Sequence, residues 1–192
     1  VNKIENFDNL REHITHIITV TCTGLFAPGL DIELARVLRL KRTVQRSSIN
    51  FMGCNAALLA LKQADQICSA SKHALVLIVC TELCTLHFQK DYTDDYILSN
   101  LLFADGSAAA LVGEPRQEIS SRPMRMSHFH SLLLHEGYEH MAWQLSEKGF
   151  IMNLSSYVSG LLNASMGELL SENGIKREEI RHWAIHPGGK KI

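Results

Sequence analysis

The feature that most constrains the fold is a continuous apolar run over residues 74–80, which reads Ala-Leu-Val-Leu-Ile-Val-Cys. Such runs are typical of strands that are buried on both faces of a parallel sheet. Other β-rich runs cover residues 17–22, 43–51 and 107–112, and helical patterns lie between them. Strands that alternate with helices predict an α/β fold around a largely parallel sheet.

Composition excludes several classes of function. The 192 residues carry a net charge of −1, which offers no electrostatic footprint for nucleic acid or an anionic membrane. No apolar run reaches the roughly eighteen residues that a membrane span needs, and the polar start lacks a secretory signal. Five cysteines without a regular framework are typical of reduced thiols. We therefore expect a cytoplasmic protein.

A polar stretch over residues 114–123 predicts a boundary between two parts, residues 1–114 and 115–192. In the second part, residues 124–134 and 148–154 are expected to form sheet segments. An apolar stripe predicts a helix over 156–171, and residues 180–186 are expected to form a strand.

Cys54 follows Gly53 at the end of a predicted strand and precedes a predicted helix. A thiol at a helix N-terminus faces unpaired N–H groups, and we expect it to ionise more readily than a free cysteine. Thiolates attack carbonyl carbons, so Cys54 is a candidate nucleophile. The same local pattern also fits a small thiol packed in the core. The pattern alone does not decide between a nucleophilic and a structural cysteine.

His186 ends the predicted strand 180–186, just before Pro187-Gly188-Gly189. Its ring is expected to project at the carboxyl end of the sheet and to exchange protons there. A histidine that only caps a loop fits the same pattern. His182 lies four residues before His186, a spacing that also occurs in metal sites. No acidic motif accompanies the two histidines, so no metal site is expected.

Three motifs carry a family resemblance. They are Gly53-Cys54 before a helix, Phe103-Ala104-Asp105-Gly106 before an alanine-rich strand, and Trp183-Ala184-Ile185-His186-Pro187-Gly188-Gly189. In this order they resemble the type III polyketide synthases, the chalcone and stilbene synthase-like branch of the thiolase superfamily, in a bacterial-type form. The resemblance implies a thiolase-like layered α-β-α-β-α architecture. Residues 1–114 would be the later part of its N-terminal half, with Cys54, and residues 115–192 the beginning of its C-terminal half, with His186.

The resemblance also implies the chemistry, a decarboxylative Claisen condensation of malonyl-CoA onto an acyl-CoA starter. Cys54 would carry the starter as a thioester, and His186 would keep the cysteine ionised and hold the malonyl carbonyl. Phe103 matches the aromatic gatekeeper of the family. Coenzyme A thioesters are the substrates, with no metal or further cofactor, and a homodimer is expected.

Some positions depart from the pattern of the plant enzymes. Met152 stands where those enzymes have a second aromatic gatekeeper, and Cys22, Cys84 and His87 replace hydroxyl residues of their starter pocket. These departures favour an aliphatic acyl starter. Lys190 and Lys191 are candidates for a coenzyme A phosphate, although lysines there also fit a solvated surface.

Only six residues follow His186, so the asparagine that completes the oxyanion site of the family is absent from this sequence. We therefore expect a fragment of a protein about twice as long or a truncated gene product. Whether this exact chain is active without that asparagine stays open. Two alternatives stay open at this point. One is a ketoacyl synthase III-like condensing enzyme. The other is a truncated, non-catalytic relative that binds acyl thioesters or dimerises.

Overall fold

A computed structural model describes residues 6–90, 92–116, 123–147, 149–155 and 157–186. The chain divides into two compact units. The first, here called the sheet unit, comprises residues 1–86 and 104–127, and the second, the hairpin unit, comprises residues 87–103 and 128–192. This division differs from a single break near residue 114, because the segment 87–103 belongs to the second unit.

Four strands form the sheet unit: β1 (His16–Thr21), β2 (Gln45–Asn50), β3 (Leu75–Glu82) and β4 (Gly106–Gly113). Their order is β2-β1-β3-β4. Strand β1 runs parallel to both β2 and β3, and β4 runs antiparallel to β3. The predicted strands and the largely parallel sheet are confirmed. We call the edge where β1, β2 and β3 end the carboxyl edge, and the opposite edge the amino edge.

Helices α1 (Phe7–Leu10), α2 (Leu30–Val37) and α3 (Ala56–Ala70) belong to the same unit, with a 3₁₀ turn at Arg11–His13. The buried residues of α3 are all alanines, spaced four apart, so they form one stripe. Small side chains on that stripe let the helix approach the sheet closely.

The core of the sheet unit lies on both faces of the sheet. One cluster joins the alanine stripe of α3 to Ile18 and Val20 of β1 and to Val76 and Ile78 of β3. The other contains the alternate residues of the same strands, including Ile17, and packs against α1 and α2. Because successive side chains of a strand point to opposite faces, an unbroken apolar run fills both clusters.

The hairpin unit contains α4 (Asp94–Leu102), β5 (Met141–Ser146), β6 (Gly149–Leu154) and α5 (Val158–Glu172). Strands β5 and β6 pair antiparallel. A 3₁₀ turn at Cys84–His87 joins the two units in the chain, and others lie at His135–Gly137 and Arg177–Glu179. Within the described ranges, none of the helices is long and apolar enough to cross a membrane.

Two strand predictions in the second half are wrong. Residues 124–134 and 180–186 form no strand in the structure, whereas the segment predicted at 148–154 forms β6. A strand needs a neighbour that accepts its ladder hydrogen bonds, and apolar composition does not provide one. Over the part of the chain described here, β5 and β6 pair only with each other.

Candidate active site

A sharp turn links β2 to Cys54. Phe51 and Gly53 both adopt left-handed backbone conformations, with φ of 57° and 86°. The Phe51 N–H donates to the Thr21 carbonyl at 3.3 Å, which ties the turn to the end of β1. A bulky residue at positive φ is rare and concentrates at functional sites. The turn leaves the Cys54 side chain exposed at the carboxyl edge.

Cys54 lies just outside the helix that it precedes. Helix α3 begins at Ala56, and Asn55 is its N-cap residue. The Ala56 N–H donates to the Gly53 carbonyl at 3.1 Å, and the Leu58 N–H donates to the Asn55 carbonyl at 2.9 Å. Two amides in the first turn of the helix are therefore already paired with carbonyls of the preceding turn.

The expectation that Cys54 ionises readily is wrong for the surroundings that the structure describes. Partial desolvation of the sulfur by the turn is the largest of the effects that raise the pKa of Cys54. Electrostatic interactions with Cys22 and Glu82 raise this pKa further, while the backbone N–H of Cys54 lowers it. The exposed thiol is accessible, but it needs a base or a cation to become a thiolate at neutral pH.

Glu82, the last residue of β3, organises the loop after β1. Its carboxylate accepts the Cys22 N–H at 2.9 and 3.1 Å and the Thr23 hydroxyl at 2.7 Å. The Thr23 hydroxyl oxygen in turn accepts the Leu83 N–H at 2.8 Å. The sequence analysis gave Glu82 no role. The available signal was a carboxylate at the end of an otherwise apolar run, where burial requires hydrogen-bond partners.

The structure brings Cys22 and Cys84 to the same edge as Cys54. Both are half-buried and free. Burial is the largest cause of a raised pKa for Cys84, followed by the charges of Glu82, Asp105 and Cys54. The carboxyl edge therefore gathers three thiols with carboxylates. A role for Cys22 and Cys84 in the starter pocket stays a prediction.

Asp105 fixes the turn that follows β3. Its carboxylate accepts the Thr85 N–H at 2.9 Å and the Thr85 hydroxyl at 2.8 Å. These two hydrogen bonds hold the pKa of Asp105 below its ordinary value. The geometry of the thiol-bearing loops thus depends on two carboxylates at one edge.

The hairpin unit contains the two predicted gatekeepers. Phe103 directly follows α4, is half-buried, and donates its N–H to the Ser99 carbonyl at 3.0 Å. Helix α4 contacts β6, which carries Met152. Met152 is opposite Trp143 in the β5–β6 register, and the Trp143 ring makes an edge contact with His87, with centroids 6.1 Å apart.

His186 lies in the hairpin unit, exposed and in irregular backbone instead of at the end of a strand. Its pairing with Cys54, which belongs to the sheet unit, stays a prediction. Lys190 and Lys191 lie outside the described residues. Over the ranges that the structure covers, no group of His, Cys, Asp and Glu is arranged to hold a metal ion.

Comparison with known proteins identifies the family. The model of the chalcone and stilbene synthase N-terminal domain matches residues 2–115, more than half of the chain. The chain belongs to the chalcone and stilbene synthase family. The family resemblance carried by the Gly53-Cys54, Phe103 and His186 motifs is thereby confirmed.

Relatives of this family member include enzymes of bacteria and an amoeba. It is 34% identical, over 92% of its length, to the alpha-pyrone synthesis polyketide synthase-like protein of Mycobacterium tuberculosis, of which it covers 46%. It is 32% identical, over 93% of its length, to a probable polyketide synthase of Dictyostelium discoideum, of which it covers 6%. The chain thus spans about half the length of the first relative, and a small part of the second.

The fold of this family member matches that of solved type III polyketide synthases. With the crystal structure of 1,3,6,8-tetrahydroxynaphthalene synthase from Streptomyces coelicolor, a bacterial type III polyketide synthase, the TM-score is 0.82 at 29% identity. The match covers 94% of this chain and 52% of that one. The predicted α/β, thiolase-like fold is confirmed.

Proposed function

We propose that the protein is a type III polyketide synthase that condenses malonyl-CoA onto an acyl-CoA starter held on Cys54. One observation carries the proposal. In a member of the chalcone and stilbene synthase family, a strained turn presents an exposed, free thiol at the carboxyl edge of the sheet. Open α/β sheets place their ligands at this edge.

The proposed reaction has two steps. The Cys54 thiolate attacks the carbonyl carbon of the starter thioester, and coenzyme A leaves as its thiolate. Malonyl-CoA then loses carbon dioxide, and the resulting enolate attacks the acyl-cysteine. This forms the new carbon–carbon bond and releases the Cys54 thiolate. Loss of carbon dioxide drives the step, so the proposal needs no metal or redox cofactor.

The raised pKa of Cys54 supports the need for a separate base. The groups that perturb this pKa from the carboxyl edge, Cys22 and Glu82, both oppose ionisation. We assign the base to His186, whose imidazole can accept the thiol proton and leave a thiolate–imidazolium pair.

We assign the substrate pocket to the residues that match the family pattern. Phe103 and Met152 would limit entry, and Cys22, Cys84 and His87 would shape the starter site. Lys190 and Lys191 would meet a coenzyme A phosphate. Met152, which stands where the plant enzymes have a second aromatic gatekeeper, favours an aliphatic starter.

We further propose that the protein forms a homodimer and that it works in the cytoplasm. Strand β2 is an edge strand of the sheet, and its side chains are mostly exposed. An open strand edge can pair with the same edge of a second copy. All five cysteines are free, which suits a reducing compartment.

Acyl transfer to Cys54 is tested by incubating the 192-residue chain with a medium-chain acyl-CoA and mapping the acyl mass by peptide mass spectrometry. We expect the label on the Cys54 peptide and its loss in Cys54→Ala. Cys68→Ala is the matched control, because Cys68 is half-buried beneath β4, with its sulfur 3.6 Å from the Val112 carbonyl oxygen. Label that persists in Cys54→Ala, or that lies on Cys22 or Cys84, would contradict the assignment.

The role of His186 is tested by the pH dependence of Cys54 alkylation and by malonyl-CoA decarboxylation. In His186→Ala the midpoint of the alkylation profile should move to higher pH, and carbon dioxide release should fall by about a hundredfold or more. His182→Ala, in the same exposed segment, should change neither. An unchanged alkylation midpoint in His186→Ala would remove the base assignment, and equal loss of soluble protein and activity would make the residue structural.

A further inference from the structure

The amino edge of the sheet, opposite the edge that presents Cys54, contains a cavity of about 510 Å³. This volume falls in the range of small-molecule sites, roughly 300–1,000 Å³. The groups that give it its chemistry are Glu12, His13, Lys41, Lys72, His73 and Arg116. All belong to the sheet unit.

Four connecting segments meet at this cavity. Three of them lead into β1, β2 and β3, and the fourth follows β4, whose antiparallel direction brings its last residues to the same edge. Backbone hydrogen bonds fix two of these segments to their neighbours. The Thr15 N–H donates to the Leu75 carbonyl at 2.9 Å, and the Gln45 N–H donates to the Thr15 carbonyl at 2.9 Å. The walls of the cavity therefore rest on the sheet.

The cavity carries a surplus of positive charge. Lys41, Lys72 and Arg116 line it together with a single carboxylate, that of Glu12. The whole chain has a net charge of −1, so this local surplus does not follow from a basic composition.

Among the residues that the structure describes, none of these three cations forms an ion pair. Ion pairs in the described ranges involve other residues: Arg36 with Glu33, Arg46 with Asp31, and Lys176 with Glu179. In addition, the Nε atom of Arg116 is buried and has no hydrogen-bond partner among the described residues. A buried donor without an acceptor is costly, and an anionic ligand beside Arg116 would satisfy it.

We propose that this cavity binds a small molecule that carries a diphosphate group. Lysine ammonium groups and the arginine guanidinium are the side chains that hold phosphate oxygens, and the imidazoles of His13 and His73 add further donors. Three cations from separate segments match a ligand group with two phosphates better than they match a ligand with a single carboxylate. Both a free diphosphate and a nucleoside diphosphate have this chemistry.

The cavity is separate from the proposed condensation site. The six-residue strand β1 spans about 20 Å between the two edges of the sheet. A ligand at the amino edge therefore does not compete with an acyl group on Cys54, and the proposal holds or fails independently of the proposed condensation.

The test is calorimetric titration of the 192-residue chain with pyrophosphate at low salt. We expect saturable 1:1 binding with a Kd of about 1 mM or tighter, weakening as salt is added. The double variant Lys41→Gln/Lys72→Gln should bind about tenfold more weakly or worse. Lys62→Gln is the matched control, because Lys62 is an exposed lysine of α3 outside the cavity lining, and it should change the Kd less than about twofold.

Arg116→Lys provides a second variant that keeps the charge and loses the planar guanidinium group, and it should weaken binding severalfold with an unchanged melting temperature.

A parallel titration with ADP identifies the source of the diphosphate. Tighter binding of ADP assigns the cavity to a nucleotide, and tighter binding of pyrophosphate assigns it to the free anion; either result supports the proposal.

Alkylation of Cys54 by iodoacetamide locates the bound anion. Saturating pyrophosphate should leave the alkylation rate unchanged. Protection of Cys54 would place the anion at the carboxyl edge and overturn the proposal. So would the absence of saturable binding up to about 10 mM, or equal affinity in the wild type and in both the double variant and Arg116→Lys.

Discussion

The two edges of the four-stranded sheet are built on the same strands and differ in almost every chemical respect. The carboxyl edge gathers thiols with the carboxylates of Glu82 and Asp105. The amino edge gathers cations around a cavity. The strands supply the same apolar core to both, so the chemistry of each edge is set by the connections that leave the sheet.

The edges also differ in how their connections are held. At the carboxyl edge, a charged acceptor binds the loop after β1, through Glu82. At the amino edge, the neutral Thr15 hydroxyl accepts the Leu75 N–H at 3.0 Å and donates to the Leu75 carbonyl at 3.2 Å. Hydrogen bonds to charged groups contribute about 1.5–3 kcal/mol and neutral ones about 1 kcal/mol. The carboxyl edge should therefore be the more sensitive to loss of one side chain.

Loss of Glu82 is expected to have the largest effect. Glu82→Ala should lower the free energy of unfolding by about 2–3 kcal/mol, because it removes the charged acceptor of the Cys22 N–H and the short hydrogen bond from the Thr23 hydroxyl. Thr15→Val at the amino edge should lower it by about 1 kcal/mol. Urea denaturation measures both. Glu33→Ala, which removes only an exposed helical ion pair, should cost less than about 0.5 kcal/mol.

An equal or larger cost for Thr15→Val than for Glu82→Ala would break the proposed difference between the edges. It would mean that the Glu82 carboxylate is replaced by water when it is removed. The loop that carries Cys22 would then hold its shape without a charged acceptor.

Backbone strain gives a second, smaller contrast. Gly53 at the carboxyl edge has φ of 86°, and Arg39, in the connection that enters β2 at the amino edge, has φ of 53°. Gly53→Ala should lower the free energy of unfolding by about 1–2 kcal/mol, since an L side chain is disfavoured there. Arg39→Gly should raise it by about 0.5–1 kcal/mol, because relief of strain exceeds the added freedom of the unfolded chain.

Thermal or urea unfolding of both variants measures this contrast. The nearest atom to a Cβ added at Gly53 would be the Asn55 side-chain oxygen at 3.8 Å, so conformation and not a clash decides the result. A stabilising Gly53→Ala would show that the turn before Cys54 relaxes freely.

The sequence predicted those elements whose signal is local. An unbroken apolar run is enough to define β3, because both faces of that strand are buried. The glycine before Cys54 was likewise sufficient to locate the turn, because a turn depends only on the local backbone conformation. The failures concern partners that are distant in the chain. Residues 180–186 have strand composition without a neighbouring strand, and Glu82 acquires its role only from a loop 60 residues earlier.

The cationic cavity was not predicted either, because its residues are also distant from one another in the chain. Lys41, Lys72 and Arg116 are unremarkable in the sequence, where each stands in a polar connection. They meet only because the parallel strands begin at one edge and the antiparallel strand ends there. The sequence predicted a lowered pKa for Cys54, whereas desolvation by the turn, followed by the effects of Cys22 and Glu82, raises it. Cys22 and Glu82 come from segments that are distant in the chain.

The smallest expected effect is a pH dependence at the carboxyl edge that comes from Asp105. Hydrogen bonds from Thr85 lower the pKa of this carboxyl in the folded chain, so its contribution to stability is complete above the pKa of the unfolded state. The contribution is lost as the pH falls through the lower pKa of the folded state. Asp105→Asn should therefore reduce the melting temperature slightly at pH 7, and the difference from wild type should shrink as the pH falls below the ordinary pKa of an aspartate. Thr85→Val should show the same trend, since it removes one of the two donors, whereas a difference that stays constant or grows in acid would show that Asp105 does not hold this turn through its charge.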